Sequence, residues 1–102
     1  MEQSAEPTQK TVKIGRKSAM LYMLAISTSL NRGSSQVTLQ ARGGTIIHAI
    51  DIAQLSQKHE KMRHFALKVA EVKIGEDSVA AENGTQRPVS TIEITLKRGQ
   101  IQ

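Results

Sequence analysis

Two stretches of the chain repeat one local design, and that repetition limits the fold more than any single motif. In each, a short alternating strand runs into a glycine turn that carries a cation, and the turn opens a helix. The first is Ile14-Gly15-Arg16-Lys17-Ser18 and the second is Ala41-Arg42-Gly43-Gly44-Thr45. Glycine lacks a Cβ, so the backbone can turn sharply at these places. Ser18 and Thr45 are suitable N-cap residues, with hydroxyls able to accept from a first-turn amide. If the two strands are parallel neighbours joined by a right-handed crossover, both turns emerge at the same end of the sheet. Arg16, Lys17 and Arg42 then converge beside two helix N-termini. Cations at the positive end of a helix dipole are better placed when an anion is expected there. The plainer reading of either turn alone is a solvated basic loop. A single Arg-Gly-Gly is likewise weak evidence for an RNA-binding repeat.

The remaining periodicities fill in the elements. Thr11 to Ile14 alternates as a half-buried strand. Ala19 to Asn31 is predicted helical, with Met20, Met23, Leu24, Ile26 and Leu30 on its apolar face and Arg32-Gly33 as its stop. The methionines on this face read as core filler. Tyr22 lies one turn in from Ser18, so its ring can pack while its hydroxyl faces the basic turn. Gln36 to Ala41 is the second strand, with Val37, Leu39 and Ala41 on one face. The second helix is expected from about Thr45 to His59, burying Ile46, Ile47, Ala49, Ile50, Ala53 and Leu55. Phe65 to Ile74 reads as a third strand whose apolar phase slips, which predicts a bulge near Ala70-Glu71. Val89 to Lys97 is the fourth strand. Between them Gly75 to Pro88 is polar and centres on Asn83-Gly84, a strong hairpin pair, so it is read as a long tip. Such a tip is either a loose surface loop or a segment held by what it binds. The expected fold is β-α-β-α-β-β, an α+β two-layer sandwich of two helices on a four-stranded mixed sheet, with the last two strands forming a long protruding antiparallel hairpin. A tail, residues 1–10, precedes one domain, residues 11–102.

Charge narrows the partner. The chain carries a net +5 and has a pI of about 9.9, which points to a polyanion. No acid occurs from Pro7 to Ile50, whereas Lys10, Lys13, Arg16, Lys17, Arg32 and Arg42 do. One positive face is therefore expected. Absence of cysteine excludes a disulfide framework and thiolate metal sites. His59 and His64 lie roughly 140° apart on a helix and cannot share a metal on one face. The tail lacks the basic-then-apolar order of a signal peptide, and no apolar run is long enough to span a membrane. No Asp or Glu stands close to the glycine turns along the chain, the first after them being Asp51, to act as a base or hold a metal. No enzymatic activity, cofactor or metal is therefore expected.

Ile14-Gly15-Arg16-Lys17, the run Met20 to Leu24, Asn31-Arg32-Gly33, Ala41-Arg42-Gly43 and Val89 to Ile94 together resemble the Alba family of archaeal chromatin proteins, in register from Val12 to Lys97. RNA-binding subunits of eukaryotic ribonuclease P and MRP share that fold. The resemblance implies a homodimer, or a heterodimer with a paralogue, that follows a DNA duplex while two hairpin arms reach towards minor grooves. It implies a location in the cytoplasm on the chromosome. The family usually has two lysines in the first loop, one of them acetylated. Arg16 replaces one, and Lys17 remains a candidate acetylation site. Arg42 matches a family contact residue and Tyr22 a position implicated in binding. Positions often basic in relatives are Gly44 and His48 here. A stacking phenylalanine late in the second helix is replaced by His59-Glu60-Lys61.

The nucleic-acid-binding set expected on these grounds is Lys10, Lys13, Gly15, Arg16, Lys17, Tyr22, Arg42, Gly43, Gly44, His48 and Arg87. Cations and backbone amides would meet phosphate oxygens, with released counterions supplying much of the affinity. No side-chain set offers a major-groove code, so sequence specificity is expected to be weak or absent. Tyr22 and Phe65 are the only aromatics, which disfavours stacking on unpaired bases and favours duplex over single strand. The alternative is an RNA chaperone or ribonuclease P-type subunit.

Overall fold

The computed structural model describes residues 9–99, so the expected tail, apart from Gln9 and Lys10, lies outside the described residues. β1 is Gln9–Lys13, α1 Ala19–Asn31, β2 Gln36–Arg42, α2 Ile46–Lys58, β3 Lys68–Ala80 and β4 Gln86–Lys97. Short 3₁₀ turns at Gly43–Thr45 and Arg63–Phe65 precede α2 and β3. The sheet order is β1-β2-β4-β3. β1 and β2 are parallel, and the other pairs are antiparallel. This is the expected α+β architecture.

Alternation along the strands builds the core. Val12, Val37, Leu39, Ala41, Ile92, Ile94 and Leu96 are buried with Met23, Ile26 and Leu30 of α1 and Ala49, Ile52 and Ala53 of α2. α1 packs on β1 and β2, and α2 packs on β2 and β4. The other sheet face is polar and stitched by side chains. Thr38 and Thr95 hydroxyls pair at 2.9 Å, and the Gln40 amide donates to the Glu93 carboxylate at 3.0 Å.

α1 ends as the sequence predicts. Gly33 takes φ +106°, its N–H donates to the Leu30 carbonyl, and the Ser34 N–H donates to that of Ser29. These two bonds close a Schellman motif. Its start differs in detail, because Ser18 sits at the N-cap but its hydroxyl makes no capping bond. Thr45 also occupies a cap position without capping α2. Its hydroxyl instead donates to the Arg42 carbonyl at 2.9 Å.

Met23, Ile26 and Leu30 of α1 and Ala49 and Ala53 of α2 are buried as expected, but both apolar faces are narrower than expected. In α1, Met20 and Leu24 are exposed, whereas Tyr22 and Ser29 are buried. Tyr22 has to turn inward to reach the loop before the helix, and Ser29 pairs with the Ser34 hydroxyl at 2.7 Å. In α2, Ile47 is 71% exposed, and Ile50 and Leu55 also lie outside the core. Ile52 and Ser56 join the expected Ala49 and Ala53 on the buried face.

The third strand starts later than expected. Phe65 belongs to a 3₁₀ turn closed by Ala66 at φ +53°, and it is buried under the sheet end. The bulge is present as a register shift between Val69 and Glu71. The stretch read as a polar tip is mostly strand. β3 and β4 stay paired from Glu76↔Ser90 out to Ala80↔Gln86, and the loop is closed by Ala81 N–H to Thr85 O at 2.7 Å with Gly84 at φ +87°. Alternating apolar residues are absent because neither face of this arm covers a core, while the backbone ladder persists. The arm contributes to a long axis of 54 Å.

Candidate nucleic-acid interface

The parallel pairing of β1 and β2 brings their C-terminal ends together. Lys13 pairs with Gln40, and the Ile14 N–H donates to the Gln40 carbonyl at 2.8 Å. Arg16 follows Lys13 by three positions and Arg42 follows Gln40 by two. The two glycine turns therefore lie side by side at one end of the sheet.

Tyr22 fixes the first turn. Its hydroxyl oxygen accepts the Gly15 N–H at 2.7 Å and the Lys17 N–H at 3.2 Å. A Cβ on residue 15 would stand 3.2 Å from that oxygen, so glycine here lets the backbone close on the phenol. His48, from the first turn of α2, places Nε2 2.7 Å from the Lys17 carbonyl oxygen. Its ring meets Tyr22 edge-on, with centroids 5.9 Å apart. His48, expected among the nucleic-acid contacts, has its Nε2 on the backbone of the other loop. The expectation that turn amides face an anion also needs correction, since Tyr22 already uses those of Gly15 and Lys17.

The Arg16 and Lys17 side chains are exposed and have no ion-pair partner among the described residues. Arg42 differs. Its Nη1 lies 3.4 Å from Oδ2 of Asp77 on β3, with the two side chains 61% and 57% exposed. An ion pair this open contributes at most about 1 kcal/mol and is readily exchanged for another anion. Sequence reasoning missed Asp77 because its position depends on the register of two strand pairs, and no local signal encodes that.

The second turn also needs its first glycine. Gly43 takes φ +58°, and a Cβ there would lie 3.2 Å from Val89 Cγ2, whereas Gly44 faces open space. Lys13 lines a groove on the polar sheet face with Gln40, Arg42, Glu76, Asp77 and Glu93, so its surroundings are of mixed charge. Two expected residues stand apart from the turns. Lys10 pairs with Val37, roughly 10 Å back along β1 from Lys13. Arg87 pairs with Val79 on the arm, roughly 13 Å along β4 from Thr91, which pairs with Arg42. What the structure assembles is a fixed turn bearing two unpaired cations, with a third cation beside it that shares a carboxylate. Such a rim holds anions by charge and fork-like hydrogen bonding.

The sequence profile of the Alba family matches residues 10–75. The DNA/RNA-binding protein Alba of Methanocella arvoryzae is 36% identical over 95 residues, covering 90% of this chain and 93% of its own. Among solved structures, Alba from Thermoplasma volcanium matches with a TM-score of 0.77 at 33% identity, over 86% of this chain and 99% of that one. An Alba protein from Trypanosoma brucei matches with a TM-score of 0.68 at 20% identity, over 88% of this chain and 69% of that one, a likeness of fold.

Proposed function

This chain belongs to the Alba family, and from that premise we propose that it binds double-stranded DNA along its phosphate backbone, without reading sequence, as a chromosome-associated architectural dimer. The observation that carries this reading is the braced turn that presents Arg16 and Lys17 with no ionic partner of their own among the described residues. Phosphates would meet two free cations and exchange with Asp77 at Arg42. Each phosphate neutralised releases counterions, so affinity falls linearly with salt on logarithmic axes. Both aromatics are buried, Tyr22 at 9% and Phe65 at 1% exposure. Neither offers a free face for an unpaired base, which favours a duplex. The arms extend the grip towards the adjacent minor groove through Arg87, although Glu76, Asp77 and Glu82 make them its weaker part. Lys17 is exposed and is the candidate position for charge removal by acetylation.

Dimerisation is supported by apolar surface that one chain leaves open. Val69, Val72 and Ile74 pair with Leu96, Ile94 and Ile92 and so share the helix-side face. They lie beyond α2 on an edge strand, and Ile74 is 82% exposed. Ile50 points roughly 160° around α2 from His48, away from α1 and towards this strip. Each such side chain left in water forgoes about 1.5–3 kcal/mol, and a second copy covering the strip recovers it.

The name of the Methanocella arvoryzae relative includes RNA, which keeps an RNA-chaperone or ribonuclease P-type role as the second reading. Fluorescence anisotropy at two salt concentrations, with duplex DNA, single-stranded DNA and folded RNA in competition, tests both. The duplex is expected to win at equal salt, with a steep salt slope. A salt-insensitive affinity overturns the backbone mechanism, and a consistent preference for folded RNA moves the conclusion to the second reading.

A further inference from the structure

Building on the proposed grip of Arg16 and Lys17 on a nucleic-acid backbone, we propose that His48 is a positioning residue. Its imidazole braces the first turn against α2 and so sets how tightly the two cations hold phosphate, without touching phosphate itself. The carbonyl of Lys17, 2.7 Å from Nε2, can only accept. Nε2 therefore carries the proton, and that N–H is committed to the carbonyl rather than free for a phosphate oxygen.

The brace is one part of a closed set of contacts. Tyr22, from α1, holds the amides on either side of Arg16, and His48, from α2, holds the carbonyl of Lys17. The two rings meet edge to face at 76°. Both polar sides of the turn are thus tied to helices that themselves pack together. Without His48, the tie from turn to α2 is gone, and Tyr22 alone holds residues 15–17. Arg16 and Lys17 have no ion pair to order them, so the backbone sets where their side chains begin. A turn already ordered in the free protein leaves less conformational entropy to be lost on binding.

The test uses the full chain with His48→Ala, His48→Gln and Arg16→Ala. Glutamine supplies an N–H near the Nε2 position and carries no charge, so it separates bracing from charge. Alanine is a good helix former and leaves α2 intact. Affinity for a short mixed-sequence duplex is measured over a salt series, and ¹⁵N order parameters of Arg16 and Lys17 are measured in the free proteins. His48→Ala is expected to bind about threefold to tenfold more weakly, the range of one hydrogen bond, with the wild-type salt slope and lower order parameters at 16 and 17. His48→Gln is expected to restore both, and Arg16→Ala to lower affinity and slope together. The proposal is overturned if His48→Ala leaves the order parameters unchanged, if glutamine binds as weakly as alanine, or if His48→Ala flattens the slope, which would make the histidine a contacting cation. Failure of the wild type to bind any nucleic acid overturns the proposed function and the affinity half of this inference. The order parameters, measured without ligand, still decide the brace.

Discussion

Tyr22 shows how one side chain can be both core and site. Its ring fills the space under the first turn while its oxygen takes two backbone amides. Tyr22→Phe leaves both amides without an acceptor in a partly buried place. A loss of about 1–2 kcal/mol in urea unfolding is expected, within the range for an unsatisfied donor, together with weaker nucleic-acid binding. Unchanged stability would show that water replaces the phenol oxygen without penalty. The three rim cations should not respond alike. Arg16→Ala and Lys17→Ala are each expected to lower the salt slope by about 0.9, equally on every DNA sequence tested. Arg42→Ala should cost less affinity, because in the wild type a phosphate gains that guanidinium only by displacing Asp77, 3.4 Å away. A larger loss at Arg42 than at Arg16 would contradict that ranking. At this scale, legibility followed distance along the chain. Tyr22 facing its own turn could be read from helical spacing, since the partners are five and seven residues apart. The partnerships of His48 with Lys17 and of Arg42 with Asp77 span 31 and 35 residues, and only the assembled sheet defines them.

Among the elements, those with strong punctuation were read best. The ends of α1, the parallel β1–β2 pair and the slip in β3 all follow from residues with one strong steric or periodic demand. The width of the buried helix faces did not, because each helix carries more large apolar residues than one sheet face can cover. The chain alone does not say which of them face the sheet. The protruding hairpin was legible from Asn83-Gly84, but how far its strands stay paired was not, since a two-stranded ribbon in water leaves no apolar pattern. It should behave accordingly. An isolated pair of strands is marginally stable, so the amides of residues 78–80, 86 and 87 are expected to exchange with solvent much faster than those of residues 92–96. Equal protection would mean that something beyond this chain's own sheet secures the arm. At the second turn, Gly43→Ala meets a left-handed backbone and the Val89 side chain together. A cost of about 1–2 kcal/mol by urea unfolding is expected from the Cβ penalty, while Gly44→Ala, facing open space, should be close to neutral.

For the whole molecule, the sheet's two faces and two edges divide the work. The polar face is stitched internally, the helix face holds the core, and the uncovered part of that face beside β3 is the proposed dimer contact. Ile74→Asp is expected to convert a dimer into a monomer in size-exclusion chromatography with light scattering, and to weaken duplex binding by removing half the cations from each bound unit. A wild type that is monomeric at micromolar concentration would remove this assignment. The arm carries one more consequence. Between Glu76 and Ser90 the ribbon has no strand on either flank, so it is an open template for pairing with the ribbon of any neighbour. Proteins crowded side by side on one filament would present many such templates in register. Three carboxylates against one guanidinium in this segment, and a proline at 88 with no N–H to offer, make that zippering electrostatically and sterically unfavourable. On the proposed DNA filament, the acids that would weaken the arm as a groove reader would also keep a dense array from fusing.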